Sequence, residues 1–328
     1  MRIVMIAAVA VFFLPLSVGA RAADCALKLA NSIPLTMTPG NVRALVPVGI
    51  NGTSQMFMLD TGGVATQISA ATAKSLNLPA VEMSIKLLDM YGNASERGVR
   101  VENLTLGRMR DGKTVLPIMT RLFDDNEQFS GIFAADYMGR YDVELDFAGG
   151  KMNYFTPDHC AGKVIYWPTT AVTALPMKLR SNHLIVEVML DGQAVKAIID
   201  TGAPNTTLTA AAARRLFGIT ADAPGQIALG EAQEHKIFGH IFQKMSFDGL
   251  EVTNPRVVVL PDLVGSKDVN NGYVTGSRVQ RVDDLDPTEP PMLIGMNILT
   301  KLHLFLDFSE HKIYVTPASP PPVAAPAR

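Results

Sequence analysis

The spacing of apolar and polar positions along the chain favours strands over helices. Ser84–Leu88 starts as a short alternating run, and Leu184–Leu190 and Val257–Leu260 are rich in β-branched residues. Met56-Phe57-Met58-Leu59 and Ala197-Ile198-Ile199 are continuous apolar runs of the length that forms buried strands. Long amphipathic helical windows are absent from the sequence. Two short alanine-rich stretches, Ala70–Lys74 and Ala210–Arg215, are the helix candidates. Ser69 and Thr209 stand before them as N-caps, and Gly218 suits the C-terminal end of the second. The pattern predicts a mostly β chain with a few short helices.

The pattern also repeats. Asn51–Leu78 and Asp191–Ile219 share one layout at an offset of 140 residues. Each opens on a turn signal (Asn51-Gly52, Asp191-Gly192), enters an apolar run, reads Asp-Thr-Gly, and closes on a short helix candidate. A second pair of motifs ends each half. Leu145-Asp146-Phe147 through Thr156-Pro157 matches Leu306-Asp307-Phe308 through Thr316-Pro317. Just upstream, Gly131-Ile132-Phe133-Ala134-Ala135-Asp136 matches Met292-Leu293-Ile294-Gly295-Met296-Asn297. The chain reads as a duplicated unit of about 135–150 residues. Asp146 and Asp307 are expected to start hairpins or bind backbone donors. Asp136 and Asn297 are expected to cap short helices, and Thr66, Thr206 and Thr207 to be strand residues.

One Asp-Thr-Gly tripeptide means little, but two at the same place in a repeated unit carry chemistry. An apolar strand delivers each Asp (Asp60, Asp200) to a dry position. Gly62 and Gly202 let the backbone turn tightly, and Thr61 and Thr201 can hold the turn by hydrogen bonds. If the halves pack about a pseudo-twofold axis, Asp60 and Asp200 face each other and share a proton, because two close carboxylates resist joint ionisation. One carboxylate then activates a water while the other polarises a carbonyl.

On these residues the sequence resembles the pepsin/retropepsin superfamily of aspartic proteases, in particular the exported bacterial retropepsin-like proteins, from about Val42 to Pro317. Proton sharing between paired aspartates is an established property of that class. The resemblance implies a bilobal pepsin/retropepsin-like acid protease fold, mostly β, with two pseudo-twofold-related lobes in one chain. It implies an aspartic endopeptidase acting on polypeptide through Asp60 and Asp200, with no cofactor and no metal, as a monomer. Two features follow the family's pattern in the second half only: Ala203 after Asp-Thr-Gly, and Leu293-Ile294-Gly295 behind it. The first half has Gly63 and Ala134 at those places. These departures favour the alternative of a non-catalytic exported protein that keeps the fold and binds peptide or protein. The family also implies a flap hairpin over the cleft. Tyr91 and Gly92 are its candidate tip residues, and Ile237-Phe238-Gly239 holds the comparable place in the second half.

Composition adds the compartment. Arg2, the apolar run Ile3–Val18 and Ala20-Arg21-Ala22 form a secretory signal, expected to be cleaved after Ala22; an uncleaved anchor is the alternative. Cleavage removes two arginines and takes the net charge from −2 to −4, which gives no footprint for nucleic acid or for an anionic membrane. The mature protein is expected to be periplasmic or secreted and off the membrane. Export favours a disulfide between Cys25 and Cys160, the only cysteines, with two free thiols as the alternative. The six histidines show no metal-ligand spacing, and His235 and His240 are five apart. The expected layout is a signal at 1–22, an N-terminal lobe at 23–161, a connector at 162–173 with Trp167 packed between lobes, a C-terminal lobe at 174–317 and a Pro/Ala-rich disordered tail at 318–328. Val264–Pro291 reads as a long surface loop.

Overall fold

The computed structural model describes residues 25–88, 94–119, 129–232, 235–261, 280–281 and 290–318. The signal segment, Tyr91, Gly92 and the tail from 319 lie outside the described residues. Among the described residues no helix is long and apolar enough to cross a membrane.

Each half is built around the same four strands in the same order. In the first half, Gln67–Ile68 pairs with Gly131–Ala134, which runs parallel to Thr53–Asp60, which pairs in turn with Ala44–Ile50. In the second, Thr207–Thr209, Met292–Ile294, Gln193–Ile199 and His183–Leu190 repeat that order. The apolar runs are buried because each Asp-bearing strand is central, with partners on both edges. The two turn signals open these strands: Asn51 and Asp191 sit at φ 50° and 42°, followed by glycines at 88° and 80°. Such pairs of positive φ make the tight hairpin turn that matches strand twist. The Asn51 side chain accepts from the Glu102 and Asn103 N–H groups, and Asp191 accepts from those of Gln243 and Lys244.

The helices form where expected, at Ala70–Ser75 and Ala210–Phe217. Ser69 accepts from the Thr72 N–H and Thr209 from that of Ala212, and Gly218 ends the second helix at φ 68°. Ile237-Phe238-Gly239 lies inside the strand His235–Ile241, paired with Ile227–Ala232, and Phe238 is buried. The segment read as one surface loop contains the short strand Gln280–Arg281. It pairs with Leu87–Leu88 at the edge of the first half's hairpin of Ala80–Leu88 and Ala94–Val101.

A six-stranded sheet joins the halves. Each half contributes three strands, and the seam is the antiparallel pair Asp142–Asp146 with Leu302–Asp307, in register at Glu144 and Phe305. Trp167 of the connecting segment packs with Phe155, Phe305 and Tyr314, which come from both halves, and lies flat on His303 with ring centres 3.8 Å apart. Cys25 and Cys160 form a disulfide.

Candidate active site

Asp60 ends its strand and Asp200 follows directly on Ile199, so both carboxylates leave the sheet at one level. Both are fully buried, as are Thr61 and Thr201. The threonines exchange bonds across the halves. The Thr61 hydroxyl donates to the Ile199 carbonyl (2.7 Å) and accepts from the Thr201 N–H (3.1 Å). The Thr201 hydroxyl donates to the Leu59 carbonyl (2.8 Å) and accepts from the Thr61 N–H (3.0 Å). This reciprocal set fixes one Asp-Thr-Gly turn against the other and uses both hydroxyls as donor and acceptor.

Gly62 shows how close the turns come. Its N–H donates to Asp60 Oδ1 at 3.0 Å, while a methyl built on its α-carbon would fall 2.4 Å from Asp200 Cγ. Glycine is required there by space, and it stands between the two carboxylates. In the second turn Asp200 Oδ1 accepts from Gly202 and Ala203 N–H groups at 2.9 and 3.1 Å.

A second layer holds each turn from behind. The Thr66 N–H and hydroxyl both donate to Asp136, and the Ala134 N–H donates to the Thr66 hydroxyl. The Thr206 N–H and hydroxyl both donate to Asn297 Oδ1, and the Gly295 N–H donates to the Thr206 hydroxyl. Asp136 and Asn297 therefore do not cap the short helices. Ala134 and Gly295 occupy the N-cap positions, with no side-chain cap. The threonines instead tie the Asp136 and Asn297 side chains to the turns, and the Asp136 carboxylate also takes the backbone N–H groups of Asp136 and Tyr137.

The two departures in the first half lie against each other. A methyl built on Gly63 would meet the Ala134 methyl at 3.4 Å and Asp60 Oδ2 at the same distance. In the second half a methyl on Gly295 would stand 2.5 Å from the Asn205 backbone and 2.7 Å from the Ala203 carbonyl. In the second half backbone closes the space behind the turn, so Gly295 is required there, whereas the first half accommodates the Ala134 methyl.

Asn182 was not legible as a site residue. Its side-chain N–H donates to the Val64 carbonyl at 2.7 Å, so the second half also grips the first Asp-Thr-Gly turn. Ser181 and Asn182 both have positive φ (47° and 63°), which the Ser-Asn pair could have signalled as a turn but not as a contact 118 residues away. Among the described residues, neither Asp60 nor Asp200 belongs to a cluster of side chains placed to hold a metal.

Two duplicated β lobes, joined by a shared sheet and meeting at paired Asp-Thr-Gly turns, define the pepsin/retropepsin class of fold. The sequence profile described as aspartyl protease matches residues 46–137 and 186–298, more than half of the chain and one Asp-Thr-Gly in each range. The chain belongs to that family. No curated protein matches it closely enough to count as a relative.

Proposed function

We propose that the chain is an aspartic endopeptidase in which Asp60 and Asp200 form the catalytic pair within one molecule. The observation that carries this is the reciprocal Thr61–Thr201 bonding, which holds the two turns face to face with Gly62 between their carboxylates. In this reading the two buried carboxylates share one proton, since neighbouring carboxylates in a dry site resist joint ionisation. The ionised partner takes a proton from water as that water attacks the peptide carbonyl, and the protonated partner donates to the carbonyl oxygen. As the C–N bond breaks, the proton taken from water goes to the leaving amine, and a gem-diol hydroxyl returns a proton to the pair. Thr61, Gly62, Thr201 and Gly202 position the pair.

Polypeptide substrate would lie extended between the halves. Each half supplies one Asp, so a single chain is complete. The Cys25–Cys160 disulfide supports an oxidising location, in keeping with export to the periplasm or the medium.

The test is cleavage of an unfolded protein between acid and neutral pH, with and without a statine-type transition-state analogue. Asp60→Asn and Asp200→Asn are each expected to lower kcat by about 10²–10⁴-fold while circular dichroism stays unchanged. No cleavage by folded wild-type chain at any pH would leave the binding-protein reading. Loss with Asp200→Asn alone would show that the first turn has no catalytic part.

A further inference from the structure

At the seam between the halves, remote in sequence from the Asp-Thr-Gly turns, three ligand atoms converge. Asp142 comes from the first half's seam strand, Asp307 from the second half's, and His159 from the segment next to the disulfide. Their side chains are buried, with exposures of 0%, 0% and 1%. His159 Nε2 stands 2.9 Å from Asp142 Oδ2 and 3.6 Å from Asp307 Oδ2. All three atoms lie within 4.8 Å of one another.

Each group is tied off on its far side. Asp142 Oδ1 accepts from the Phe308 and Ser309 N–H groups. Asp307 Oδ1 accepts from the Ser309 hydroxyl and the Glu310 N–H. His159 Nδ1 faces the Cys160 carbonyl at 3.2 Å; a carbonyl only accepts, so Nδ1 carries the hydrogen. Nε2 and Asp142 Oδ2 face each other at hydrogen-bond distance, and Asp307 Oδ2 lies beside them. Asp307 Oδ2, fully buried, has no hydrogen-bond partner among the described residues. Outer hydrogen bonds that orient each ligand, with the inner atoms convergent, are the build of a metal site.

We propose that Asp142, His159 and Asp307 bind one divalent transition-metal ion, Zn²⁺ by ligand type, and that the ion clamps the two halves at the seam. Atoms bound to zinc at about 2.0–2.2 Å stand roughly 3.3–3.6 Å apart at tetrahedral angles, which the 2.9 and 3.6 Å separations bracket. Two ionised carboxylates, a neutral imidazole and Zn²⁺ sum to zero, so the ion would leave no net charge buried at the seam. The inference is independent of peptidase activity.

The test is zinc titration of the chelator-stripped, disulfide-intact chain, purified without added histidines. Binding is read against a chromophoric competitor, and bound metal is counted after desalting. We expect one equivalent, and an unfolding midpoint raised by about 5 °C when free zinc is about 100 times Kd. His159→Gln, which can still bond to Asp142, and Asp307→Asn are each expected to weaken binding by at least about 100-fold. His303→Gln, at the neighbouring imidazole–carboxylate pair, is expected to leave it unchanged. Should a substituted chain fail to fold, Co²⁺ added to wild type decides: paramagnetic broadening confined to the His159 ring supports the site, and broadening of another histidine overturns it. Folded wild type that binds no stoichiometric zinc at micromolar concentration overturns it as well, and assigns the space to a proton on His159.

Discussion

At the residue scale, Thr61 and Thr201 carry more structure than their size suggests. Each hydroxyl satisfies one buried carbonyl and one buried N–H of the opposite turn. Replacing either with Val keeps the shape and strands both partners in a dry place. Thr61→Val and Thr201→Val are each expected to cost about 2–3 kcal/mol in urea unfolding. Gly63 makes a subtler prediction. Gly63→Ala alone would bring a methyl into close van der Waals contact with both Ala134 and Asp60 Oδ2, 3.4 Å from each. Combined with Ala134→Gly it would reproduce the second half's arrangement. A double-mutant cycle is expected to show about 1 kcal/mol of coupling, with the pair closer to wild type than Gly63→Ala alone. The turns themselves were legible in the sequence, because Asp-Thr-Gly is local. The Gly63–Ala134 contact was not, because only the parallel pairing of Gly131–Ala134 with the Asp60 strand brings those residues together.

At the element scale, strands, helices and caps followed the sequence closely, since period and capping chemistry are short-range. The hairpin aspartates also behaved as read: Asp146 accepts from the Gly149 N–H and Asp307 from that of Glu310. Asp136 and Asn297 did not, because tertiary contact gave their side chains a better partner than a helix end. The short strand Gln280–Arg281 was equally hidden, since its pairing partner is almost 200 residues away in the other half. The final hairpin offers a pH prediction. Glu310 accepts from the Gly162 N–H, the Lys312 ammonium and the Tyr314 hydroxyl, linking the connecting segment to the last strand. Burial acts to raise its pKa, but Lys312, the Gly162 N–H and Tyr314 hold it down at about 2, against an ordinary 4.5. A depressed folded-state value means the contribution is complete above about pH 4.5 and is lost as pH falls toward 2. Glu310→Gln is therefore expected to cost about 1–2 kcal/mol near neutral pH, with the difference from wild type shrinking steadily in acid. A difference constant with pH would show that Glu310 acts by packing alone.

At the scale of the whole molecule, the two halves share one main hydrophobic cluster and are held by a common sheet, the connecting segment and a disulfide. The disulfide spans 135 residues and closes most of the first half into a loop. Replacing Cys25 and Cys160 together with Ser is expected to cost about 2–5 kcal/mol, measured by equilibrium unfolding against the oxidised wild type. Because the Asp-Thr-Gly turns are held by their own cross-bonds, any activity at low denaturant should survive that replacement.

The sequence by itself determined what depends on neighbours along the chain. The strand pattern, the caps, the duplication and the two Asp-Thr-Gly turns are written in local spacing, and the duplication implies that the turns meet. Tertiary structure alone decided which side chains cross between the halves. Asn182 on the Val64 carbonyl, Asp136 on Thr66, and His159 between Asp142 and Asp307 join residues whose separation in sequence carries no signal. The scattered histidines showed no ligand spacing because the ligands come from three segments that only the seam sheet brings together. Periodicity records which face of an element is buried; it does not record what that face will touch.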